Sequence, residues 1–153
     1  MRLDDTDRAI LGALQQDARL PLAEVARRTS LSLATVHRRL QRLQRWGVVR
    51  GFWVALDPVK VGLAITAFVR LRLRYKENME RDYALVAQMP EVEEIHVVAG
   101  DYDLLVKLRG RDNAHVLELV QRIYGIMGFL RSNTEICLAS PLERLTDVRT
   151  VPG

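Results

Sequence analysis

Residues 30–51 read SLSLATVHRRLQRLQRWGVVRG, a stretch that is both strongly basic and regularly apolar. At about 100° of rotation per residue, Leu33, Leu40 and Leu43 fall within about 60° of Val36. This apolar stripe predicts a helix that packs one face on a core. The stretch contains no acidic residue and five arginines, which are Arg38, Arg39, Arg42, Arg45 and Arg50.

The opposite side of this helix is small and basic. Small residues let a backbone approach closely, arginines reach bases or phosphates, and a helix N-terminus can meet a phosphate, so the face fits a DNA major groove. A solvated charged face is the alternative, but residues 25–56 contain no acid, whereas solvated faces usually mix signs. The expected contact residues are Ser32, Ala34, Thr35, Arg38, Arg39, Arg42 and Arg45, with Arg45 and also Arg50 on the DNA backbone.

The sequence before residue 30 predicts two further short helices. An acidic cluster at residues 4–7 complements the dipole at a helix start. Pro21 suits the first turn of the second helix, Ser32 caps the third, and Gly47 ends it. The inward-facing residues of the first two helices should be Ile10, Leu11, Leu14, Leu22, Val25 and Ala26.

The charge is distributed unevenly along the 153 residues. Residues 1–60 hold 11 Lys+Arg and 6 Asp+Glu, whereas the remaining residues hold 12 and 13, so the basic excess lies in the first part. Such asymmetry suggests a polyanion-binding part and a neutral part. No apolar run reaches the roughly 18 to 20 residues of a membrane span, and acids interrupt the first residues, so we expect a cytoplasmic protein without a signal peptide. Cys137 is the only cysteine, which excludes an internal disulfide and cysteine-cluster metal sites.

The second part alternates between strand and helix patterns in the order β-α-β-β-α-β. Strands are expected at residues 64–74, 92–100, 102–110 and 129–139, and helices at 76–90 and 112–126. Two βαβ units joined by a turn at residues 99–103 make a ferredoxin-like sandwich. Two helices cover one face of its sheet. We expect the alternating apolar residues of strand 64–74 and its neighbours on the uncovered face, where a second copy would bury them.

The predicted fold class is therefore α+β, with two domains, one linker and a C-terminal tail. A helix-turn-helix domain, winged-helix-like, spans residues 1–50, and a strand-like linker spans 51–62. The ferredoxin-like domain spans 63–140 and a tail spans 141–153. The strand-like segment VVRGFWVALD at 48–57 is either a wing or the first linker strand.

Four segments in order resemble the Lrp/AsnC, or feast/famine, family of transcriptional regulators. They are LDDTDRAIL at 3–11, LSLATVHRRLQRLQRWGVVRGF at 31–52, LDPVKVG at 56–62 and VVAGDYDLLVKLRG at 97–110. The resemblance covers about residues 2–140. Two positions depart from the family pattern: Ser30 stands where many members have glycine in the helix-turn-helix turn, and Pro21 stands where a Ser or Thr cap is usual.

The resemblance implies a DNA-binding regulator of transcription whose assembly responds to an amino acid or similar small metabolite. Sensing domains pair through their sheets, and the dimers assemble further into tetramers or octamers. The effector would bind between dimers at a Gly-led turn, with polar support from the last strand. Backbone N–H groups would meet the carboxylate, and Asp101 or Asp103 the ammonium. The implied effector residues are Gly100, Asp101, Tyr102, Asp103, Ser132 and Thr134.

Two other interpretations stay open at this point. Siroheme decarboxylases share the two-part architecture and would make the chain a tetrapyrrole enzyme. However, His37, His96 and His115 form no spaced set, and neither an H-E-x-x-H motif nor a nucleophile elbow is present. A sensing partner that does not bind DNA is disfavoured by the five arginines. We expect a non-enzyme with double-stranded DNA and a small effector as partners, and with no catalytic residue, cofactor, metal or membrane contact.

Overall fold

The computed structural model describes residues 2–74 and 79–151, and the chain divides into two compact units. The helical unit comprises Met1–Val54 together with Leu142–Gly153, and the sheet unit comprises Ala55–Pro141. Within the described ranges, every helix is too short or too polar to cross a bilayer.

Three helices form the centre of the helical unit: α1 at Asp5–Gln16, α2 at Leu22–Thr29 and α3 at Leu33–Arg45. The residues predicted to mark the starts of α1 and α3 do so in the structure. Asp4 caps α1 by accepting the Asp7 backbone N–H, and Ser32 caps α3 by accepting the Thr35 N–H at 3.1 Å. The core between the helices is made of Ile10, Leu14, Val25, Ala26, Val36 and Leu40.

Three local predictions in this unit are wrong. Pro21 lies at the N-cap of α2, one residue before its first turn. Leu33 is 51% exposed because it begins α3, and the buried stripe starts one turn later at Val36. Residues 48–57 form no strand, although the segment is β-rich in composition, because no described residue of the chain offers it a partner strand.

Ser30 connects α2 to α3 in the left-handed conformation, with φ +55° and ψ +35°. It is the single non-glycine residue with positive φ among the described residues. The N–H of Leu31 reaches back to the Ala26 carbonyl at 2.9 Å, so the turn is tightly closed. Ser30 therefore holds a backbone conformation that glycine adopts more easily, which is a source of local strain.

We expect Ser30→Gly to raise the free energy of unfolding of the helical unit by about 0.5–1 kcal/mol, because glycine adopts positive φ without steric cost. Chemical denaturation followed by tryptophan fluorescence measures it, since both tryptophans, Trp46 and Trp53, belong to this unit. Ala34→Gly in α3 is the matched control and should lower stability by about 1 kcal/mol. A decrease in the stability of Ser30→Gly would contradict the interpretation.

The C-terminal segment, residues 142–151, packs on α1 and completes the helical unit. Gln15 holds it at two points: Nε2 donates to the Thr146 carbonyl at 2.7 Å, and Oε1 accepts the Val148 N–H at 2.8 Å. Arg8 donates to the Val151 carbonyl at 3.0 Å, and the Val148 side chain is buried. The segment is therefore an integral part of the helical unit.

The sheet unit contains β1 at Ile65–Leu73, α4 at Met79–Ala87, β2 at Val92–Val97, β3 at Leu104–Gly110, α5 at Asn113–Ile126 and β4 at Phe129–Ile136. The strands lie in the order β2-β3-β1-β4 and every pairing is antiparallel, which confirms the ferredoxin-like prediction. The predicted start of the first helix, at residues 76–78, lies outside the described residues.

The two faces of the sheet differ from the prediction. Ala67, Val69 and Leu71 of β1 are fully buried in one core with residues of α4 and α5, so the expectation that they lie on the uncovered face is wrong. Alternation along a strand places Arg70 and Arg72 on the other side. There the uncovered face is mainly charged and paired: Arg70 with Glu135 at 3.0 Å, Arg72 with Asp103 at 3.1 Å, and Arg109 with Glu93 at 2.6 Å.

Candidate nucleic-acid interface and ligand loop

The exposed face of α3 carries small, amide and basic side chains. Ala34, Arg38, Gln41 and Arg45 are all exposed, and they follow one another at helical spacing. Within residues 2–74 and 79–151, Arg38 and Arg45 make no hydrogen bond or ion pair, and neither does Arg50. The N-terminal end of this face is fixed by the contact between the Ser32 and Thr35 hydroxyl groups at 2.8 Å.

Arg39 and Arg42 occupy a different environment on the flank of α3. The Arg42 Nη2 lies 2.8 Å from both carboxylate oxygens of Asp7, and Arg39 Nη1 donates to Asp4 and, at 3.3 Å, to Asp7. The side chains of Arg39 and Arg42 are 22% and 30% exposed, whereas that of Asp7 is 1% exposed. The acids that balance these arginines come from α1 and are therefore distant in sequence.

The sequence-based contact set thus divides into two groups. Arg38 and Arg45 present unpaired guanidinium groups, whereas Arg39 and Arg42 are engaged with Asp4 and Asp7 within the unit. His37, Gln44 and Leu33 also lie exposed along the N-terminal and outer side of α3 and were not predicted as contacts. The helical periodicity places these three residues beside the basic face, so the sequence pattern could have indicated them as neighbours of the predicted contacts.

Residues 98–103 form a loop whose backbone is held at its ends. The N–H of Val98 donates to the Asp103 carbonyl, and the N–H of Asp103 donates to the Leu71 carbonyl, each at 2.9 Å. The Asp103 carboxylate accepts from the Leu73 N–H at 2.8 Å and from Arg72 at 3.1 Å. Asp103 therefore shapes the loop, and its carboxylate is already engaged.

The middle of the loop is left with unused polar groups. The backbone N–H groups of Gly100, Asp101 and Tyr102 donate to no other described residue, and the exposed Asp101 carboxylate pairs with none of them. Gly100 has φ +147°, a conformation that favours glycine. The loop therefore presents backbone donors beside one carboxylate acceptor.

The last strand lies beside the same end of β1 as the loop. Ser132 pairs with Leu71 in the sheet and accepts a hydrogen bond from the Tyr124 hydroxyl at 2.8 Å, while Thr134 is exposed two residues further along β4. The Arg131 guanidinium stands 5.4 Å from the centre of the Tyr102 ring and so joins β4 to the loop. Arg131 and Tyr124 were not predicted from the sequence, because only the strand register brings them to this region.

Comparison with known proteins also divides the chain into two parts. The model of the AsnC-type helix-turn-helix domain matches residues 3–44, and that of the Lrp/AsnC ligand binding domain matches residues 66–146. The HTH-type transcriptional regulator FL11 of Pyrococcus furiosus is 32% identical over 136 residues, which cover 89% of this chain and 89% of that protein.

Two solved structures share the fold over nearly the whole chain. An AsnC family transcriptional regulator from Agrobacterium tumefaciens superposes with a TM-score of 0.87 at 28% identity, covering 97% of this chain and 100% of that one. The L-Met complex of the transcriptional regulator NMB0573 from Neisseria meningitidis superposes with a TM-score of 0.84 at 29% identity, covering 95% and 96%. These matches give no support to the tetrapyrrole enzyme. The chain therefore belongs to the Lrp/AsnC family of transcriptional regulators, with a helix-turn-helix DNA-binding part and a ligand-binding part.

Proposed function

We propose that this regulator reads specific DNA sites through the exposed face of α3 and responds to a free amino acid bound at residues 100–103. The observation that carries the DNA part is the unpaired basic face of α3, where Arg38 and Arg45 flank small and amide side chains. Arginine is the commonest side chain in bidentate contacts to guanine, and amides pair with adenine. We therefore assign base contacts to Arg38 and Gln41 in this proposal.

The remaining contacts would position the helix. Ser32 and Thr35 lie at the N-terminus of α3, where hydroxyl groups and the helix dipole favour a phosphate. Arg45 and Arg50 lie towards the other end and would add phosphate contacts, which carry affinity but no sequence information. Ala34 leaves room for the backbone to approach the groove.

An amino acid fits the unused groups of the loop. A free amino acid offers one carboxylate, which the N–H groups at residues 100–102 would bind, and one ammonium, which the Asp101 carboxylate would bind. Ser132 and Thr134 would add polar contacts from β4. The regulator NMB0573, whose structure contains L-Met, supports this class of ligand and makes L-methionine the first probe.

A second copy of the chain is the proposed partner in assembly. Exposed apolar side chains are concentrated in the segment around residues 52–61, where Trp53 is 65% and Val54 is 84% exposed. Large exposed apolar side chains that follow one another along the chain are candidates for an interface. A two-fold dimer would present two α3 helices to a pseudo-palindromic site, and further association would give a tetramer or octamer.

We expect Asp101→Ala to weaken amino-acid binding about tenfold or more, because the variant cannot accept a charge-assisted hydrogen bond from the ammonium. A thermal-shift screen of the standard amino acids selects the ligand, since binding to the folded state raises its stability. Calorimetry and light scattering, with and without that ligand, then measure affinity and assembly size. Glu118→Ala, which removes an exposed carboxylate from α5, is the control.

These experiments test the amino-acid site and the dimer separately. Equal affinity in Asp101→Ala, Glu118→Ala and the unaltered protein would place the amino-acid site elsewhere and leave residues 98–103 as a plain turn. A protein that scatters light only as a monomer at micromolar concentration would contradict the dimer. DNA binding by the helical unit should be largely unchanged in both variants.

A further inference from the structure

Two of the five arginines in residues 30–51, Arg39 and Arg42, are bound by carboxylates that also cap helix α1. Asp4 and Asp7 form a reciprocal cap at the start of α1: the Asp7 N–H donates to Asp4 at 2.8 Å, and the Asp4 N–H donates to Asp7 at 3.4 Å. The positive end of the α1 dipole favours both negative charges. The pKa of Asp4 lies below its usual value, first because of the Asp7 N–H and second because of Arg39, so Asp4 stays charged at neutral pH.

Arg42 is restrained on more than one side. Its Nη2 is bound by Asp7, its Cζ lies 4.7 Å from the centre of the Trp46 ring, and its Nε is buried without a hydrogen-bond partner among the described residues. A guanidinium in this position gives up part of its hydrogen-bonding capacity. The arrangement therefore fixes the position of the Arg42 charge but leaves its Nε donor without a hydrogen bond among the described residues.

Holding α3 against α1 does not by itself require this network. The apolar residues Ile10, Leu14 and Leu40 already pack the helices together, and buried ion pairs often stabilise no more than apolar residues of similar size. The Asp–Arg network has an electrostatic effect that apolar residues would not have, because it controls which cations can reach DNA. Non-specific affinity for DNA depends on how many cations reach phosphates, whereas base contacts carry the specificity.

We propose that Asp4 and Asp7 restrain Arg39 and Arg42 from phosphate contacts, so that non-specific DNA binding stays weak while Arg38 and Arg45 remain free for the operator. This inference rests on the proposed DNA-binding face of α3. It makes Asp7 and Asp4 positioning residues that act through the two arginines. Each arginine that is released should add about one phosphate contact.

The test is binding to a random-sequence DNA duplex over roughly 50–200 mM salt. For Asp4→Asn and Asp7→Asn, we expect affinity at low salt to rise roughly three- to tenfold. The slope of log affinity against log salt should become steeper by about 0.9 for each released arginine. Asp5→Asn is the matched control, because it changes the net charge equally at a fully exposed side chain. The ion pair of Asp5 is with Arg8 of the same helix, at 3.8 Å.

A double-mutant cycle separates local release from a general change in charge. In a protein that also carries Arg39→Gln and Arg42→Gln, Asp7→Asn should no longer steepen the salt slope. If Asp7→Asn fails to fold, as judged by circular dichroism, Asp4→Asn carries the same test, because Asp4 is half-exposed.

A purely structural role of Asp4 and Asp7 predicts salt slopes no steeper than that of the Asp5→Asn control. Slopes in Asp4→Asn and Asp7→Asn that equal the slope of Asp5→Asn, or that become shallower, would overturn this inference alone. An unaltered protein that binds no duplex DNA at low salt would overturn the proposed interface and this inference together.

Discussion

Arg38→Ala is expected to reduce affinity for a selected DNA site by about 1–3 kcal/mol, or roughly 5- to 150-fold, while affinity for random duplex changes much less. The reason is its place at the centre of the exposed face of α3, where no described residue pairs with its guanidinium. Removing a side chain that reads a base reduces discrimination between sequences, whereas removing one that binds a phosphate weakens all sequences alike.

The measurement starts with selection of binding sites from a random library by the unaltered protein. Binding of the selected site and of random duplex is then compared between variants. Arg45→Ala is the matched control: it removes the same charge from the same helix and should weaken both DNAs uniformly, with a salt slope shallower by about 0.9. Retention of the full preference in Arg38→Ala would place the base reader at another residue.

Gly110→Ala is expected to lower the free energy of unfolding of the sheet unit by about 1–3 kcal/mol, because the new methyl group overfills the core. Gly110 ends β3, and a Cβ there would lie 2.6 Å from Val116 Cγ2 and 3.4 Å from the Val116 backbone nitrogen. Val116 is buried and β-branched, so its side chain has little freedom to move aside.

Gly125→Ala is the control with the opposite sign. Gly125 lies near the end of α5 with open space around it, so alanine should raise stability by about 0.5–1 kcal/mol through helix propensity. Hydrogen exchange of the β3 amides reports on the sheet unit separately from the helical unit. Equal or greater stability in Gly110→Ala would show that the β3–α5 contact is looser than its geometry indicates.

Features governed by neighbouring residues could be predicted from the sequence. Asp4, Ser32 and Asp112 each accept the N–H three residues ahead, so a short stretch of chain contains both partners of the cap. Alternation along β1 also predicted its two faces, although it carried no information about which of them the helices cover.

Features that depend on tertiary contacts could not be predicted in this way. A stretch without acids suggested that all its arginines are free, but Asp7 reaches Arg42 from a position 35 residues earlier. The turn at residues 99–103 was predicted from the strand pattern, whereas its role as a candidate ligand loop came from the family resemblance. The engagement of Asp103 by the Leu73 N–H was not predicted, since it requires the loop to fold back on the end of β1.

Because residues 142–151 return to α1, the two units cannot be separated by a single cut in the chain between them. The polypeptide passes between the two units at residues 54–55 and again at 141–142. A protease that cuts once near Trp53 would therefore leave two fragments still held together by the contacts of Gln15 and Val148, and both would elute together under native conditions. Residues 1–54 alone are thus not the complete DNA-binding unit. A chimera that carries only these residues would lack the carbonyl groups of Thr146 and Val151, to which side chains of helix α1 donate hydrogen bonds.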